Sequence, residues 1–468
     1  MSRKYRLFSL FTGAGGLDLG FKLTGKFEIM FGNDILGPAM ETYARNFGTR
    51  LMTVQPNPSD LPAVFKGDVS TLDFNAFNEI QANVITGGPP CQDFSIVRGP
   101  QKERSGIEVA RGKLYSYFIR ALVHLQPETF VFENVPGLLS ANKMEAYKLI
   151  TEDFSSPSQR WKDIKKIVGN NSEIAPRDYE IIYSDVVNAS RLGVPQARRR
   201  LILIGVRKDL VQRFWWNVTR IKKEISCALN GEDGRPVSKY PLTPLEVFEG
   251  KPLPDLQSKY EEIMEEYAEI AKQTSTHKAS EWKKQIWLSL TFDVIKDYLS
   301  VNKIQPKNRE EIDNAFADHV ELLKELGYYN IRVADLKSPD GSNDIPNESA
   351  EVLERMRQIP PDENYEFVRG TTWEVEGRGM SLIYRRTHPL KPAYTVVAYG
   401  GGGTWGYHYE RQRGMFTNRE RARLQTFPDD FVFKGSLSSV RAQIGEAVPP
   451  LLGKRIAQAI LKILESFS

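Results

Sequence analysis

Cysteine and histidine are scarce in this sequence, and their scarcity excludes several classes of protein. The 468 residues contain two cysteines, Cys91 and Cys227, and five histidines. The sequence has no CxxC pair and no Cys/His cluster, so we expect neither a disulfide framework nor a metal site. In a reducing cytoplasm Cys91 would remain a free thiol, available for chemistry.

Long apolar runs and a strong net charge are also missing. The sequence has no apolar stretch of about 18 residues and no signal-peptide core, which predicts a cytoplasmic protein with no membrane partner. The 63 lysines and arginines nearly balance the 59 aspartates and glutamates, leaving a net charge of +4. This charge neither indicates nor excludes a nucleic-acid partner, because local clusters of basic residues can still bind DNA.

Short β-type runs alternate with helical segments over the first two hundred residues. The runs are 5–11, 27–31, 83–86, 129–132, 179–187 and 201–206. This alternation predicts an α/β fold with a mainly parallel sheet, whose ligands bind beyond the carboxyl ends of the strands. A change to helical spacing after Val206, with four glycines at 400–403, indicates a second domain. We expect domains at 1–206 and 207–414, with 415–468 returning to the first.

A glycine-rich turn follows the first predicted strand. Phe11, Gly13 and Gly15 lie between that strand and a helix, where glycine lets the backbone approach a ligand closely. The spacing fails the G-x-G-x-x-G fingerprint of dinucleotide-binding enzymes, because an aspartate stands at the third position. Asp34 and Asp68 follow other strands, where a carboxylate can bind ribose hydroxyls or, alternatively, cap a helix. Together these residues predict a nucleoside-cofactor pocket.

Two further motifs carry groups suited to catalysis. Pro89 and Pro90 fix the backbone immediately before Cys91, which favours a rigidly held nucleophile over an inert small side chain. Glu133 follows a buried strand, where a carboxyl can act as an acid near neutral pH. Its alternative role is to cap a helix or to form a salt bridge.

A cluster of arginines precedes the last predicted strand of the sheet. In an extended segment Arg198 and Arg200 point to the same side of the chain. They can bind a phosphate or orient a carboxylate or carbonyl group. The alternative is a solvated charged face.

These motifs, in this order, resemble those of the DNA cytosine-5 methyltransferases. The resemblance covers most of 5–206 and 415–468, in the stretches FTGAG (11–15), PPCQ (89–92), ENV (133–135), QARRR (196–200), TNRERARLQTFPD (417–429) and QIGEAVPP (443–450). Glu446 departs from the family, which usually has Asn there. The resemblance implies a Rossmann-like, S-adenosylmethionine-dependent methyltransferase sheet with helices on both faces, and a smaller target-recognition domain at 207–414.

The resemblance also implies a role for each motif. Cys91 would add to carbon 6 of cytosine, Glu133 would hold or protonate ring nitrogen 3, and Arg198 would stabilise charge at the base carbonyl. Carbon 5 would then accept the methyl group, and the base must leave the stacked duplex for this to happen. The residues expected to bind the cofactor are Phe11, Gly13, Gly15, Asp34, Asp68, Pro90 and Glu446.

Double-stranded DNA is the partner that the resemblance implies. Arginines alternate with aromatic residues late in the second domain, and we predict that Arg385 or Arg386 contacts DNA, with Arg200 as a further contact. The alternative is a flexible surface loop with a solvated charged face. We expect a monomer that acts as a prokaryotic modification enzyme, with a cognate restriction endonuclease as a functional but not physical partner.

Three other functions were weighed against this one. A tRNA cytosine-5 methyltransferase of the same fold would have a Cys-Phe-Thr tripeptide and a short recognition region, and the sequence has neither. A DNA-binding inactive homologue should have lost Cys91 or Glu133, and both are present. A nicotinamide-dependent oxidoreductase is disfavoured by the failed glycine fingerprint.

Overall fold

The computed structural model describes most of the chain. The described residues are 4–90, 114–140, 144–168, 174–213, 215–273, 276–375, 383–400, 403–404 and 406–466. Of the predicted site residues, Cys91 lies outside these ranges. The chain forms two compact units, of which unit 1 comprises 1–188, 199–233 and 447–468, and unit 2 comprises 189–198 and 234–446.

These units do not follow the boundaries predicted from the sequence. Residues 207–233 belong to unit 1, whereas 189–198 and 415–446 belong to unit 2. The first difference arises because 215–229 form a helix that buries Ile221 and Ile225 within unit 1. The change of sequence texture after Val206 is therefore not a domain boundary.

Unit 1 is built on an eight-stranded sheet. The strands are β1 (Tyr5–Leu10), β2 (Phe27–Asp34), β3 (Arg50–Met52), β4 (Ala63–Lys66), β5 (Val84–Gly87), β6 (Thr129–Asn134), β7 (Tyr179–Asn188) and β8 (Arg199–Arg207), in the order β3-β4-β2-β1-β5-β6-β8-β7. The strands from β3 to β6 in this order pair in parallel, and β8 is antiparallel to both β6 and β7. The predicted α/β fold with a mainly parallel sheet is confirmed.

Helices cover this sheet and bury its apolar side chains. They are α1 (Gly16–Leu23), α2 (Gly37–Phe47), α3 (Leu114–Leu125), α4 (Glu145–Ser155), α5 (Pro157–Val168), α6 (Lys208–Arg213) and α7 (Trp215–Leu229). Phe118 of α3 is fully buried and meets Phe130 and Phe132 of β6 edge to face. Such aromatic contacts add to the burial of apolar area in holding a helix on its sheet.

Unit 2 consists mainly of helices and irregular segments. Its helices are α8 (Pro244–Glu249), α9 (Gln257–Glu265), α10 (Ala268–Lys272), α11 (His277–Gln285), α12 (Val294–Val301), α13 (Arg309–Glu325), α14 (Ala350–Arg357), α15 (Asn418–Leu424) and α16 (Leu437–Glu446). α15 begins with a capping box in which Thr417 and Glu420 bond each other's backbone N–H groups. This pairing satisfies two donors that the first turn of a helix leaves open.

A buried ion pair lies in the core of unit 2. His319 places Nδ1 at 2.8 Å from Glu246 Oε1 and Nε2 at 2.8 Å from the Tyr240 carbonyl oxygen. Because both neighbours can accept hydrogen bonds, the arrangement favours the protonated ring, which donates from both nitrogens. Burial alone lowers the pKa of His319, but the Glu246 carboxylate and the Tyr240 carbonyl together raise it above the usual 6.5.

The last helix, α17 (Pro450–Glu465), belongs to unit 1 and packs against α1. A Cβ atom on Gly20 would lie 2.3 Å from the backbone of Gly453, so two glycines allow the helices to approach closely. No helix within the described ranges combines the length and the apolar composition that a membrane span requires. The same residues contain no cluster of three or more His, Cys, Asp or Glu side chains suited to a metal ion.

Candidate active site

The glycine-rich turn follows β1 at the carboxyl end of the sheet. Phe11, Gly13 and Gly15 all have positive φ angles, of 55°, 53° and 89°. A Cβ atom on Gly15 would lie 2.7 Å from the rings of Tyr43 and Phe47, so no other residue fits there. A Cβ atom on Gly13 would meet none of the described residues within 4 Å, so these residues leave the space beside the Gly13 backbone open.

Asp34 joins the end of β2 to this turn. Its Oδ2 accepts a hydrogen bond from the Gly13 N–H at 2.9 Å, and its Oδ1 accepts one from the Leu36 N–H at 3.0 Å. Burial raises the pKa of Asp34, and the backbone N–H groups partly oppose that effect. The structure therefore brings a carboxylate and an open stretch of backbone together, as the cofactor prediction requires.

The other residues predicted to bind the cofactor are more exposed. Asp68 follows β4, where its Oδ1 accepts a hydrogen bond from the Ser70 N–H at 2.8 Å and caps a short turn. Pro90 is exposed three residues beyond β5. Glu446 is exposed at the end of α16, which belongs to unit 2. The cofactor contacts of these three residues remain predictions.

Glu133 lies near the end of β6 and pairs with an arginine of the neighbouring strand. Its Oε1 is 2.9 Å from Arg200 Nε, and each side chain is 13% exposed. Burial lowers the pKa of Arg200, and the charge of Glu133 partly opposes this effect. Two largely desolvated and opposite charges therefore face each other at the carboxyl end of the parallel strands, where the glycine turn also lies.

The backbone that leads to Cys91 begins against this ion pair. A Cβ atom on Gly88 would lie 2.7 Å from Glu133 Oε2, so the chain passes the carboxylate at close range. Asn134 donates a hydrogen bond from Nδ2 to the Pro89 carbonyl oxygen at 3.2 Å. The two strand ends, β5 and β6, are therefore tied together two residues before Cys91.

Arg198 and Arg200 do not share one face, in contrast to the prediction. Arg198 is fully buried in unit 2 and donates from Nη1 to the Val396 carbonyl at 3.1 Å and from Nη2 to the Gly445 carbonyl at 2.8 Å. The alternation argument failed because β8 begins only at Arg199, and before it the Arg198 N–H donates to the Gln196 carbonyl at 2.8 Å, which bends the chain. The guanidinium of Arg198 is thus engaged with main-chain carbonyls, and Arg200 takes the position beside Glu133.

The two arginines predicted to contact DNA also separate. Arg386 is fully buried, and its guanidinium donates to backbone carbonyls that include those of Met356 at 2.6 Å and Ile359 at 2.7 Å. A DNA contact by Arg386 is therefore contradicted, because the residue has no exposed surface. Arg385 is 29% exposed, and its guanidinium carbon lies 3.1 Å from the centroid of the Tyr394 ring. Of the two arginines, Arg385 remains the candidate for a DNA contact.

One buried carboxyl group beside the glycine turn escaped the sequence analysis. Asp18 is 1% exposed in the first turn of α1, where it accepts a hydrogen bond from the Tyr43 hydroxyl at 2.8 Å. The signal in the sequence was an aspartate flanked by Leu17 and Leu19 on an apolar helix, which is an unusual place for a charge.

Comparison with known proteins places this site in a family. The sequence profile of the C-5 cytosine-specific DNA methylases matches residues 5–462. The chain is 54% identical to the DNA (cytosine-5-)-methyltransferase M.ApeKI of Aeropyrum pernix over the full length of both proteins. It is 31% identical to the type II methyltransferase M.NgoFVII of Neisseria gonorrhoeae, over 99% of this chain and 88% of that protein.

A solved structure supports the same fold. The crystal structure of a DNA modification methyltransferase encoded within an E. coli prophage aligns with a TM-score of 0.53 at 21% identity, over 99% of this chain and 100% of that one. At this identity the likeness concerns the fold alone. The extent of the profile match and the identity to the relatives decide the assignment: the chain belongs to the C-5 cytosine-specific DNA methylase family.

Proposed function

We propose that this chain transfers a methyl group from S-adenosylmethionine to carbon 5 of a cytosine that has been flipped out of double-stranded DNA, with Cys91 as the nucleophile. The observation that carries the proposal is the ion pair of Glu133 and Arg200 at the start of the segment that bears Cys91. The pair lies at the same carboxyl end of the parallel strands as the glycine turn. The turn could bind a cofactor, and the ion pair could bind a base, at this one end of the sheet.

The residues around the turn fit a nucleoside cofactor. The open space beside Gly13 leaves room for a ligand against the backbone, and the carboxylate of Asp34 can accept hydrogen bonds from ribose hydroxyls. S-adenosylmethionine, when bound, supplies an electrophilic methyl group. Gly13, Gly15 and Asp34 would hold it, with further contacts from Phe11, Asp68, Pro90 and Glu446.

The chemistry on the base follows from the nucleophile and the ion pair. The Cys91 thiolate adds to carbon 6 of cytosine, which makes carbon 5 electron-rich. Glu133 holds a proton at ring nitrogen 3 and so stabilises the negative charge that the addition develops. Arg200 fixes the orientation of the Glu133 carboxylate. After methyl transfer, loss of the carbon 5 proton restores the double bond and breaks the carbon–sulfur bond.

Restriction-modification is the biological role that we propose. Relatives of this chain in Neisseria gonorrhoeae and Brevibacillus brevis are named type II methyltransferases. We propose that the chain acts in a prokaryotic cytoplasm as a monomer. A cognate restriction endonuclease would recognise the same DNA sequence as this chain but would not bind to the chain itself.

Arg385 is the DNA contact that we propose in unit 2. Its guanidinium is stacked on Tyr394 and lies 3.9 Å from Asp362, so it is held in place before DNA arrives. We expect Arg385→Gln to weaken binding of target DNA by about tenfold, the range of one direct arginine contact. Arg309→Gln, which removes the same charge from a 92% exposed site, is the control. Equal DNA binding by Arg385→Gln and the native chain, at every salt concentration, would remove Arg385 from the interface.

The activity itself is tested with purified protein and labelled methyl donor. We expect label to enter a cytosine-containing duplex and to be absent when 5-methylcytosine replaces every cytosine. Transfer to tRNA with none to DNA would favour the alternative enzyme of the same fold. Bisulfite sequencing of DNA from cells that express the chain would then identify the target sequence and the methylated cytosine.

A further inference from the structure

Asp18 is the least expected polar residue in unit 1, because its carboxyl group is buried among four secondary-structure elements. It belongs to α1, and the Tyr43 hydroxyl of α2 donates to its Oδ2 at 2.8 Å. Thr86 of β5 places Oγ1 at 3.2 Å from Oδ1 and at 3.0 Å from Ser9 Oγ of β1. The hydroxyls of Ser9, Tyr43 and Thr86 all hydrogen-bond to the carboxyl group.

The Tyr43 ring connects this network to the glycine turn. A Cβ atom on Gly15 would lie 2.7 Å from the Tyr43 ring, so this ring packs directly against the glycine turn. The ring also stacks on Phe47 at a centroid distance of 4.1 Å and an interplanar angle of 15°. A ring fixed on one face by Phe47 and at its hydroxyl by Asp18 leaves the turn little freedom to move.

We propose that Asp18 is a positioning residue for the cofactor: its carboxylate holds the Tyr43 ring beneath the glycine turn and thereby sets the affinity of the turn for S-adenosylmethionine. The inference rests on the proposed function, since it assumes that the turn binds this cofactor. It assigns no chemical step to Asp18, which acts only through Tyr43 and the turn.

The cost of burying this carboxylate supports a role beyond folding. Burial raises the pKa of Asp18 to about 6, against the hydrogen bonds of the three hydroxyls, so the group is ionised at neutral pH in a place that disfavours charge. An asparagine of the same size would avoid that cost. Buried groups with strongly shifted pKa values are concentrated at functional sites, where stability is exchanged for activity.

The network also predicts how cofactor affinity depends on pH. The groups that contact the Asp18 carboxyl are the hydroxyls of Ser9, Thr86 and Tyr43, and burial raises the pKa of Tyr43 so that it stays a donor. The carboxylate accepts from all three above pH 6, whereas its protonated form must itself find an acceptor. Asp34, whose pKa burial also raises, contacts the turn directly and is a second source of pH dependence.

The test compares two conservative variants with a matched pair elsewhere in unit 1. Asp18→Asn removes the charge, and Tyr43→Phe removes the hydroxyl but keeps the ring. Tyr115 and Asp153 form a similar buried contact of 2.9 Å between α3 and α4, so Tyr115→Phe and Asp153→Asn are the controls. Calorimetry measures the affinity of the full chain for S-adenosylmethionine and S-adenosylhomocysteine between pH 5.5 and 8.

We expect each of the two variants to weaken cofactor binding by about tenfold at pH 8, the effect of one charge-assisted hydrogen bond. The double variant should lose little more than either single one, because both break the same contact. The native chain should bind S-adenosylmethionine more weakly as the pH falls through 6. In Asp18→Asn this pH dependence should become smaller, and the part that remains should come from Asp34. At saturating cofactor kcat should stay within about twofold of the native value, which separates positioning from chemistry.

Three results would overturn the inference. The first is native affinity in folded Asp18→Asn and Tyr43→Phe. The second is an unchanged pH profile in Asp18→Asn. The third is an equal loss of affinity in Tyr115→Phe, which would indicate a general loss of packing. If the native chain binds neither S-adenosylmethionine nor S-adenosylhomocysteine, the proposed function is wrong. This outcome can be told apart from failure of the inference, because it is seen with the native chain alone.

Discussion

Removing Arg200 isolates the contribution of the ion pair that faces the start of the Cys91 segment. Arg200→Ala takes away the guanidinium whose Nε lies 2.9 Å from Glu133 Oε1. The Glu133 carboxylate then keeps its place near the end of β6 but loses the charge that fixes its orientation. We expect the variant to fold and to methylate DNA slowly.

The exposure of the two side chains sets the size of this effect. Exposed ion pairs contribute about 0–1 kcal/mol, and breaking a fully buried pair costs about 3–5 kcal/mol. Glu133 and Arg200 are each 13% exposed, which lies between these limits. We take about 2 kcal/mol, and since 1.36 kcal/mol is a factor of ten in rate, kcat/KM should fall by about 30-fold.

The assay measures methyl transfer together with thermal unfolding. Arg207→Ala is the matched control, because Arg207 lies on the same strand and pairs with Asp209 at 2.7 Å, away from Glu133. We expect that control to keep native activity. If Arg200→Ala retains more than a third of the native kcat/KM, Arg200 does not act on Glu133 as argued. If both variants lose activity equally, the effect comes from the strand and not from the ion pair.

Three further predictions concern buried groups. Arg198→Ala should lower the free energy of unfolding by about 2–6 kcal/mol, because two buried carbonyls lose their donor, and a melting temperature within a degree of native would contradict this. Gly15→Ala should cost about 1–3 kcal/mol, since φ is +89° and the new Cβ would strike Tyr43; unchanged stability would mean that the turn has room. The raised pKa of His319 means that its ion pair with Glu246 stabilises the fold below about pH 6.5 and that this stabilisation is lost as the pH rises through the folded value. His319→Gln should remove that dependence from urea titrations, and an unchanged pH profile would show that His319 does not cause it.

The central strands of the sheet could be predicted from the sequence because they are buried on both faces. Such strands are continuous apolar runs, and those corresponding to β1, β2, β5, β6, β7 and β8 were all recognised. The edge strand β3 was missed, because three residues carry too little pattern, and β4 was predicted only as the strand that ends before Asp68. The mainly parallel pairing followed from the alternation of strands with helices.

The individual arginines could not be assigned from the sequence, because their roles depend on which carbonyls the fold brings together. Arg386 contacts backbone from 356–359 and from 408–413, two segments that no local pattern links. Arg198 and Arg200 were predicted to point to the same side of an extended segment, but β8 begins only at Arg199, so the alternation does not extend to Arg198. Asp18 was missed because nothing in the sequence shows that β1, β5 and α2 supply hydroxyls around it.

The central claim is that Cys91 forms a covalent bond with the cytosine that is methylated. A duplex with 5-fluorocytosine at the target position tests it, because fluorine at carbon 5 cannot leave as a proton does and the adduct is therefore trapped. Intact-protein mass spectrometry after denaturation should show one DNA strand bound per chain, only with methyl donor present, and none with Cys91→Ser. A native chain that methylates the ordinary duplex but never forms the adduct, or a Cys91→Ser variant that does form it, would contradict the account.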